Sequence, residues 1–505
     1  MNLKSSNIIL LLIFFLALVI RFLYFPNNTY FGFDQARDAY AVREIMGGDL
    51  KIVGPPTAAQ IIHHGVLYYY IFSPLYFLSG GDPTLVSLFL RVLNSVGIFL
   101  VFLIVFPLFG RVVALIAAFL FAVSYEQTQF ALFLNHPSLA VISVLIFYLG
   151  LSTWLFRKKN WGLLLAIFGF GLSIQFEFVE IQLLGVFILF LLLFKNHLPK
   201  ITPKNLAISL VVFLIPLSSY VFVEIKNNFR FISIIPSLML NSAGSNPGSS
   251  VSEFIFFINR YFHDNLIASN FLAPILAIAF LIILIKLFIL NRSRSQLTFL
   301  SFWFFGGLLV YFFINNDGYF YNTGTSIALL IFAAFLISKL HAKSKLLAFS
   351  LLFLILLSNM YLITKNNPLG PNQKINPQIG LLLKDQQRVL DFIYQSASGE
   401  DFAVNALTMP YNVNTTWSYL FEWYGKKKYG YVPVWGGDAA EGFPGNLKVE
   451  TARSKLPDKR FLIIEPNEGI PSYLRDSFIA NEENYNKTIE KKKIGTMEIW
   501  VQQPR

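Results

Sequence analysis

The chain has 505 residues, of which 55% are hydrophobic, 17% aromatic and only 13% charged, and its mean hydropathy is +0.57. A soluble domain carries about 25% charged residues, so a soluble globular enzyme, a disordered chain and a coiled coil are excluded. The absence of cysteine excludes a disulfide framework, a zinc–thiolate site, an iron–sulfur cluster and a cysteine nucleophile.

Apolar runs of the length a bilayer crossing needs, about 20 residues, recur along the chain. They predict an α-helical polytopic membrane protein with about eleven transmembrane helices, near 8–25, 84–108, 112–128, 137–156, 161–177, 181–194, 206–223, 266–290, 297–314, 322–339 and 347–364. The net charge of +12 is read as a topology signal. With the N-terminus in the cytoplasm, the inside segments hold Lys4, Arg111, Arg157, Lys158, Lys159, Lys195, Lys200, Lys204, Arg292, Arg294, Lys339, Lys343 and Lys345, with no acidic residue among them. The rest of the chain is close to neutral. Basic residues gather on the cytoplasmic side of membrane proteins, so the excess predicts that orientation in a cytoplasmic membrane and argues against a nucleic-acid partner. The first span has no small-residue cleavage site after it and is predicted to be retained.

The first outer loop, about 26–83, is the most informative stretch. Its segment from Tyr30 to Gly48 predicts a helix from about Asp34 to Met46 that stops at Gly47-Gly48. Asp34, Arg37 and Asp38 stand at i, i+3 and i+4 and share one face. The plain reading makes Asp34 an N-cap and Arg37–Asp38 a surface ion pair. Against it, Arg37 occupies the position where a capping box wants Glu or Gln. A carboxylate at a bilayer surface, with Arg37 and Arg43 nearby, also suits a base facing a phosphate-bearing lipid. Further on, His63 and His64 precede an interfacial aromatic segment through Tyr68, Tyr69 and Tyr70. Adjacent histidines point to different sides of a helix, so no metal pair is expected. A histidine bonded to an anionic phosphate is the functional reading; one solvated and one structural histidine is the plain one.

The second outer loop carries Glu126 and Asn135, and the third Glu177 and Glu180. Acidic groups near hydrocarbon are costly and usually face an aqueous cavity; the plain alternative is helix capping. Arg91, Arg230 and Arg260 are candidates for an anionic headgroup or interfacial anchors. The long loop 224–265 contains a flexible stretch from Asn241 to Ser250. From 366 to 505 the apolar runs stop. A helix from Gln378 to Ser396, a helix capped by Asn414 and running through Tyr424, and strands beginning at Phe402, Arg460 and Met497 predict a small α/β domain outside the membrane. No Gly-rich phosphate loop, Walker signature or Ser-His-Asp spacing is present. A transfer reaction would therefore draw on a donor already activated and dissolved in the membrane.

Four segments together resemble the GT-C membrane glycosyltransferases, in the bacterial branch similar to protein O-mannosyltransferases and aminoarabinose transferases. Asp34-Gln35-Ala36-Arg37-Asp38-Ala39-Tyr40 sits where that family places an Asp-Glu motif. His64-Gly65-Val66-Leu67-Tyr68-Tyr69 resembles its His-Pro-Pro-Leu-Tyr-Tyr segment. Leu134-Asn135-His136-Pro137 and Gly171-Leu172-Ser173-Ile174-Gln175-Phe176 match stretches that open span four and end span five. The resemblance covers about 1–365 in layout and implies a GT-C catalytic domain there, with 366–505 as an outer α/β domain. It further implies an inverting glycosyltransferase in which Asp34 takes a proton from the acceptor and the acceptor displaces a polyprenyl phosphate. Arg37, Arg43, His64, Arg230 and Arg260 would meet the phosphate, with Asp38, Tyr68, Glu126 and Asn135 as further substrate contacts. The implied partners are a polyprenyl-phosphate sugar donor, the lipid bilayer and a glycan, lipid or protein acceptor. Gln35 stands where the family has Glu, and Asn135 where some relatives carry an acid, so no metal or other cofactor is expected. Two rival readings share the membrane plan. A lipid-linked glycan flippase would place charges near the midplane and show internal repeats, whereas here the charges gather at the outer rim. A glycan ligase or polymerase would not need the Asp34 motif.

Overall fold

The computed structural model describes all residues except 1–2, 58–61, 231–232, 234–249, 291–293, 310–317, 373–374 and 441. The membrane part is a helical bundle: α1 (Leu3–Phe22), α2 (Phe33–Met46), α3 (Leu67–Ser79), α4 (Thr84–Phe109), α5 (Arg111–Val123), α6 (Tyr125–Leu132), α7 (Pro137–Phe156), α8 (Trp161–Phe176), α9 (Leu183–Phe194), α10 (Pro203–Lys226), α11 (Ser250–Asn265), α12 (Leu272–Ile289), α13 (Arg294–Leu308), α14 (Thr325–Lys343) and α15 (Lys345–Asn366). Among the described residues seven helices are long and apolar enough to cross a membrane. An eighth candidate is the pair α5–α6, bent by 55° at Ser124, where the sequence predicts one straight span. The apolar helices over 6–22 and 161–176 are shorter. The predicted span 297–314 is helical to Leu308, and its last residues lie outside the described ones. The predicted flexible stretch from Asn241 to Ser250 lies outside them too, except for Ser250.

Small residues and buried arginines hold the bundle. α7 and α8 form a hairpin whose backbones nearly touch: a Cβ on Gly150 would fall 2.2 Å from the Ala166 nitrogen, and one on Gly169 2.4 Å from the Phe147 nitrogen. Such close approach is how membrane helices gain dispersion contact without a hydrophobic driving force. At the junction of α1, α4 and α5, buried Arg21 donates to Asn94 Oδ1 (2.7 Å) and to the carbonyls of Ala122 (2.8 Å) and Phe121 (3.2 Å). Arg91 donates to Asn28 Oδ1 (2.9 Å), Ser87 Oγ (3.2 Å) and the Arg21 carbonyl (2.5 Å). Arg91 is fully buried with its donors committed inside the protein, so the sequence expectation of a headgroup contact or interfacial anchor is corrected to a structural pin.

Beyond α15 the chain builds a five-stranded sheet in the order β2-β1-β3-β5-β4. Its strands are β1 (Phe402–Leu407), β2 (Val434–Trp435), β3 (Lys459–Ile464), β4 (Asn486–Ile494) and β5 (Met497–Pro504). β1 runs parallel to β2 and β3, and β5 antiparallel to β3 and β4. α16 (Leu383–Ala397), α17 (Thr415–Leu420) and α19 (Ser472–Tyr485), with the short α18 (Lys426–Tyr429), accompany it. This domain shares one hydrophobic cluster with α2 and α3, in which Phe31, Tyr40 and Tyr68 join Leu390, Trp417 and Ile499. The stretch 28–31 is sewn to the domain's first residues. Leu383 N–H donates to the Thr29 carbonyl (2.9 Å), Phe31 N–H to the Leu381 carbonyl (3.2 Å) and Gln386 Nε2 to the Phe31 carbonyl (2.8 Å). The α/β domain and α2 therefore occupy the same end of the bundle.

Candidate active site

The N-terminus of α2 is built differently from its sequence reading. Gly32, in extended backbone, is the N-cap, and its N–H donates to Gln35 Oε1 at 3.1 Å. Gln35 thus fills the third-residue role of a capping box, and its Nε2 donates to the Leu134 carbonyl at 3.1 Å. Asp34 is not the cap. Its side chain stays 44% exposed and receives Arg37 Nη1 at 2.7 Å. The same guanidinium turns Nε (2.9 Å) and Nη2 (2.8 Å) onto Oδ1 of buried Asp38, which also accepts from Tyr69 OH at 3.3 Å. The predicted Asp34–Arg37–Asp38 face is thus present as one ion-paired row. Burial pushes the Asp38 carboxyl up from the ordinary carboxylate range, against the pull of Arg37.

Behind this row three loops meet. His64, His136 and Glu177 are all buried, and one ligand-type atom from each lies within 4.8 Å of the other two. The His64 and His136 rings lie with centroids 3.9 Å apart, tilted by 35°, and Tyr68 packs 5.3 Å from His136. Burial, followed by the charges of Arg37 and His63, pushes His64 down to about 3. Burial, followed by His64 and Arg37, takes His136 well below the usual histidine range, so both rings are neutral. Burial and the neighbouring Glu180 raise Glu177 well above the usual carboxylate range. Asn135 supports this corner through its Oδ1, which accepts the His136 N–H at 2.8 Å. In the sequence Glu177 reads only as a cavity-lining group and His136 only as part of a motif. Each was visible as a titratable residue beside a span, but nothing in the spacing showed that they meet.

The remaining predicted residues lie elsewhere. Arg43 Nη2 pairs with Glu422 Oε2 of the α/β domain at 2.7 Å, and Tyr40 OH donates to Glu422 Oε1 at 2.6 Å. Glu126 accepts from Asn265 Nδ2 at 2.6 Å in a second buried network, on α6, α11 and the segment before α14. Arg260 belongs there, stacked over the Tyr319 ring at 4.0 Å and reaching Asn322 Oδ1 at 3.5 Å. Arg230 is exposed just past α10. Of the five donors expected to meet a phosphate, only Arg37 stands beside Asp34.

Two cavities stand out, only the first of them beside α2. One of about 430 Å³ lies against α2, lined by Tyr40, Arg43 and Glu44 and by Phe443 to Asn446. Phe443 packs its ring 5.3 Å from Phe33, the residue before Asp34. The other, of about 550 Å³, is an apolar groove between α7, α8, α9 and α10, lined by Phe147, Phe170, Leu184, Phe187, Leu210 and Phe213 among others, with Leu184 and Leu210 exposed.

The profile of the PMT_2 family, dolichyl-phosphate-mannose-protein mannosyltransferase, matches residues 63–221. Among solved structures, ArnT from Cupriavidus metallidurans bound to undecaprenyl phosphate is similar. It has 12% identity and a TM-score of 0.63, over 99% of this chain and 98% of that one. The same protein in its apo state gives 13% identity and 0.62, over 99% and 98%. No curated protein sequence matches. The chain is a multi-pass membrane protein with the fold of the GT-C membrane glycosyltransferases, closed by a small α/β domain.

Proposed function

We propose that the protein is an inverting glycosyltransferase that moves a sugar from a polyprenyl-phosphate donor to an acceptor on the outer face of the cytoplasmic membrane. One observation carries this reading. Gln35 caps α2, so Asp34 is released from structural duty and stands half-exposed, oriented by a guanidinium that Asp38 holds from the other side. A carboxylate placed in this way can accept the proton of an incoming hydroxyl, provided that the hydroxyl comes within hydrogen-bond reach. The acceptor oxygen then forms its bond to the anomeric carbon as the carbon–oxygen bond to the lipid phosphate breaks. The electron pair leaves on the phosphate, and the sugar carbon inverts. Arg37 touches no reacting atom in this scheme; it is a positioning residue. The polar cavity beside Phe33 suits an approaching acceptor, and the apolar groove suits an isoprenoid tail. The undecaprenyl phosphate bound to ArnT supports a lipid phosphate as the leaving group.

The test is transfer of a labelled sugar from a polyprenyl-phosphate carrier by protein reconstituted in liposomes. Because a positioned base contributes on the order of 10²–10⁴-fold, Asp34→Asn should lose that much turnover while still inserting and folding. The product should have the opposite anomeric configuration to the donor. Equal transfer by both proteins removes Asp34 from the mechanism. Movement of the donor across the bilayer without transfer points to a flippase instead.

A further inference from the structure

We infer that His64, His136 and Glu177 form a binding site for a divalent cation of the zinc class, one that staples three interhelical loops at the end of the bundle. The inference does not depend on the proposed reaction.

Each residue comes from a different loop. His64 precedes α3, His136 caps α7, and Glu177 follows α8. The carboxylate reaches both rings, with Oε1 3.7 Å from His64 Nδ1 and Oε2 3.6 Å from His136 Nδ1. These gaps are too long for hydrogen bonds. The gap to His64 approaches the separation of about 3.3 Å between neighbouring ligands around a tetrahedral zinc ion with bonds near 2.0 Å, and one ligand-type atom of His136 lies within 4.8 Å of both partners. Glu177 Oε2 is buried without a hydrogen-bond partner, an arrangement that is costly unless something satisfies it.

The rings are also prepared as ligands. A carbonyl can only accept, so the 2.5 Å contact between His136 Nδ1 and the Phe176 carbonyl places the proton on Nδ1 and leaves a lone pair on Nε2. Phe178 N–H donates to His64 Nδ1 at 3.4 Å, so Nδ1 is the unprotonated nitrogen of the second ring, and a cation bound there would take its lone pair in place of this long hydrogen bond. A backbone carbonyl holding the far nitrogen of an imidazole is the usual support for a metal-binding histidine. Two imidazoles and one carboxylate suit zinc, whereas magnesium and calcium favour all-oxygen sets.

The full-length protein would be purified in detergent, stripped with a chelator, dialysed against micromolar zinc and assayed for bound metal by elemental analysis. Wild type and Asp34→Asn are expected to retain one zinc per chain. Glu177→Gln, His136→Gln and His64→Gln should each bind on the order of 100-fold more weakly. Zinc should raise the apparent melting temperature of wild type and leave that of Glu177→Gln unchanged; this reads the staple in a variant shown to be folded by its own melt. Magnesium should do neither. Absence of zinc from the wild type, or equal zinc in wild type and the three variants, overturns the site. Sugar transfer by metal-free protein that binds no zinc would remove this inference and leave the proposed function standing. Zinc binding without transfer would do the reverse.

Discussion

At Arg37 one guanidinium serves two carboxylates, and its bidentate grip on Asp38 leaves only Nη1 for Asp34. The planar fork makes this division possible, and the compact ammonium of lysine could not copy it. Glu465 in the α/β domain shows a different use of a carboxyl. Gln378 Nε2 (2.8 Å), Trp417 Nε1 (2.9 Å) and Met409 N–H (3.1 Å) all donate to it, yet burial dominates and pushes it up to about 7. A carboxyl raised by folding contributes stability that is fully present below its unfolded value, near 4.5. That contribution is lost as pH rises through about 7, and it amounts to about 3 kcal/mol. Thermal melts of wild type from pH 5 to 8 should therefore fall more steeply than those of Glu465→Gln. Parallel profiles would show that the group stays ionised throughout.

Among the elements, α2 was readable in the sequence from its i, i+3, i+4 charge pattern and its glycine stop. The expected range, Asp34 to Met46, differs from the observed helix by one residue. Its cap was not readable. In the sequence Gln35 reads as a departure from an acidic pair, and only the fold shows it bonded to Gly32 N–H and to a carbonyl of a distant loop. Gln35→Ala should cost about 1 kcal/mol of stability and lower transfer by freeing Asp34 to take over the cap. Gln35→Glu should restore the cap but not the tie to Leu134, since a carboxylate has no proton to donate there. Circular dichroism melts and liposome transfer, run on both variants, would separate the two contributions.

The domain's strands were legible where apolar residues run together, at β1, β3 and β5. β4 was not, because Lys487 to Lys493 shows no apolar alternation; it is an edge strand, where lysines deter further pairing. Helix α17 starts where expected, at Thr415, although Asn414 makes no side-chain cap bond there. The meeting of His64, His136 and Glu177 was beyond reach for another reason. It depends on how three loops fold over the bundle, and no local periodicity records that.

For the whole molecule, the decisive joint is between α2 and the α/β domain. Glu422 accepts from Tyr40 OH, Arg43 Nη2 and Asn446 N–H, and Arg43 lies 4.5 Å over the Tyr40 ring. The phosphate role implied for Arg43 by resemblance thus competes with a clasp between the two parts of the protein. A double-mutant cycle of Arg43→Gln and Glu422→Gln should yield a coupling energy between about 0.5 and 3 kcal/mol. Denaturant unfolding followed by the domain's tryptophan fluorescence would measure it. Glu422→Gln should be the costlier single change, because it also weakens the bonds from Tyr40 and Asn446. Additive effects would reduce the clasp to a coincidence of packing.

The pairing of 28–31 with 381–386 settles where the molecule can bend. Because the catalytic candidate and the tail are stitched side by side, the tail is no flap that swings open to admit a bulky guest. Phe33 and Phe443, packed edge to face across this seam, tie the two parts together once more. A shortened chain ending at 366 would not be a working bundle missing an ornament; it would leave the strut beneath Asp34 without footing.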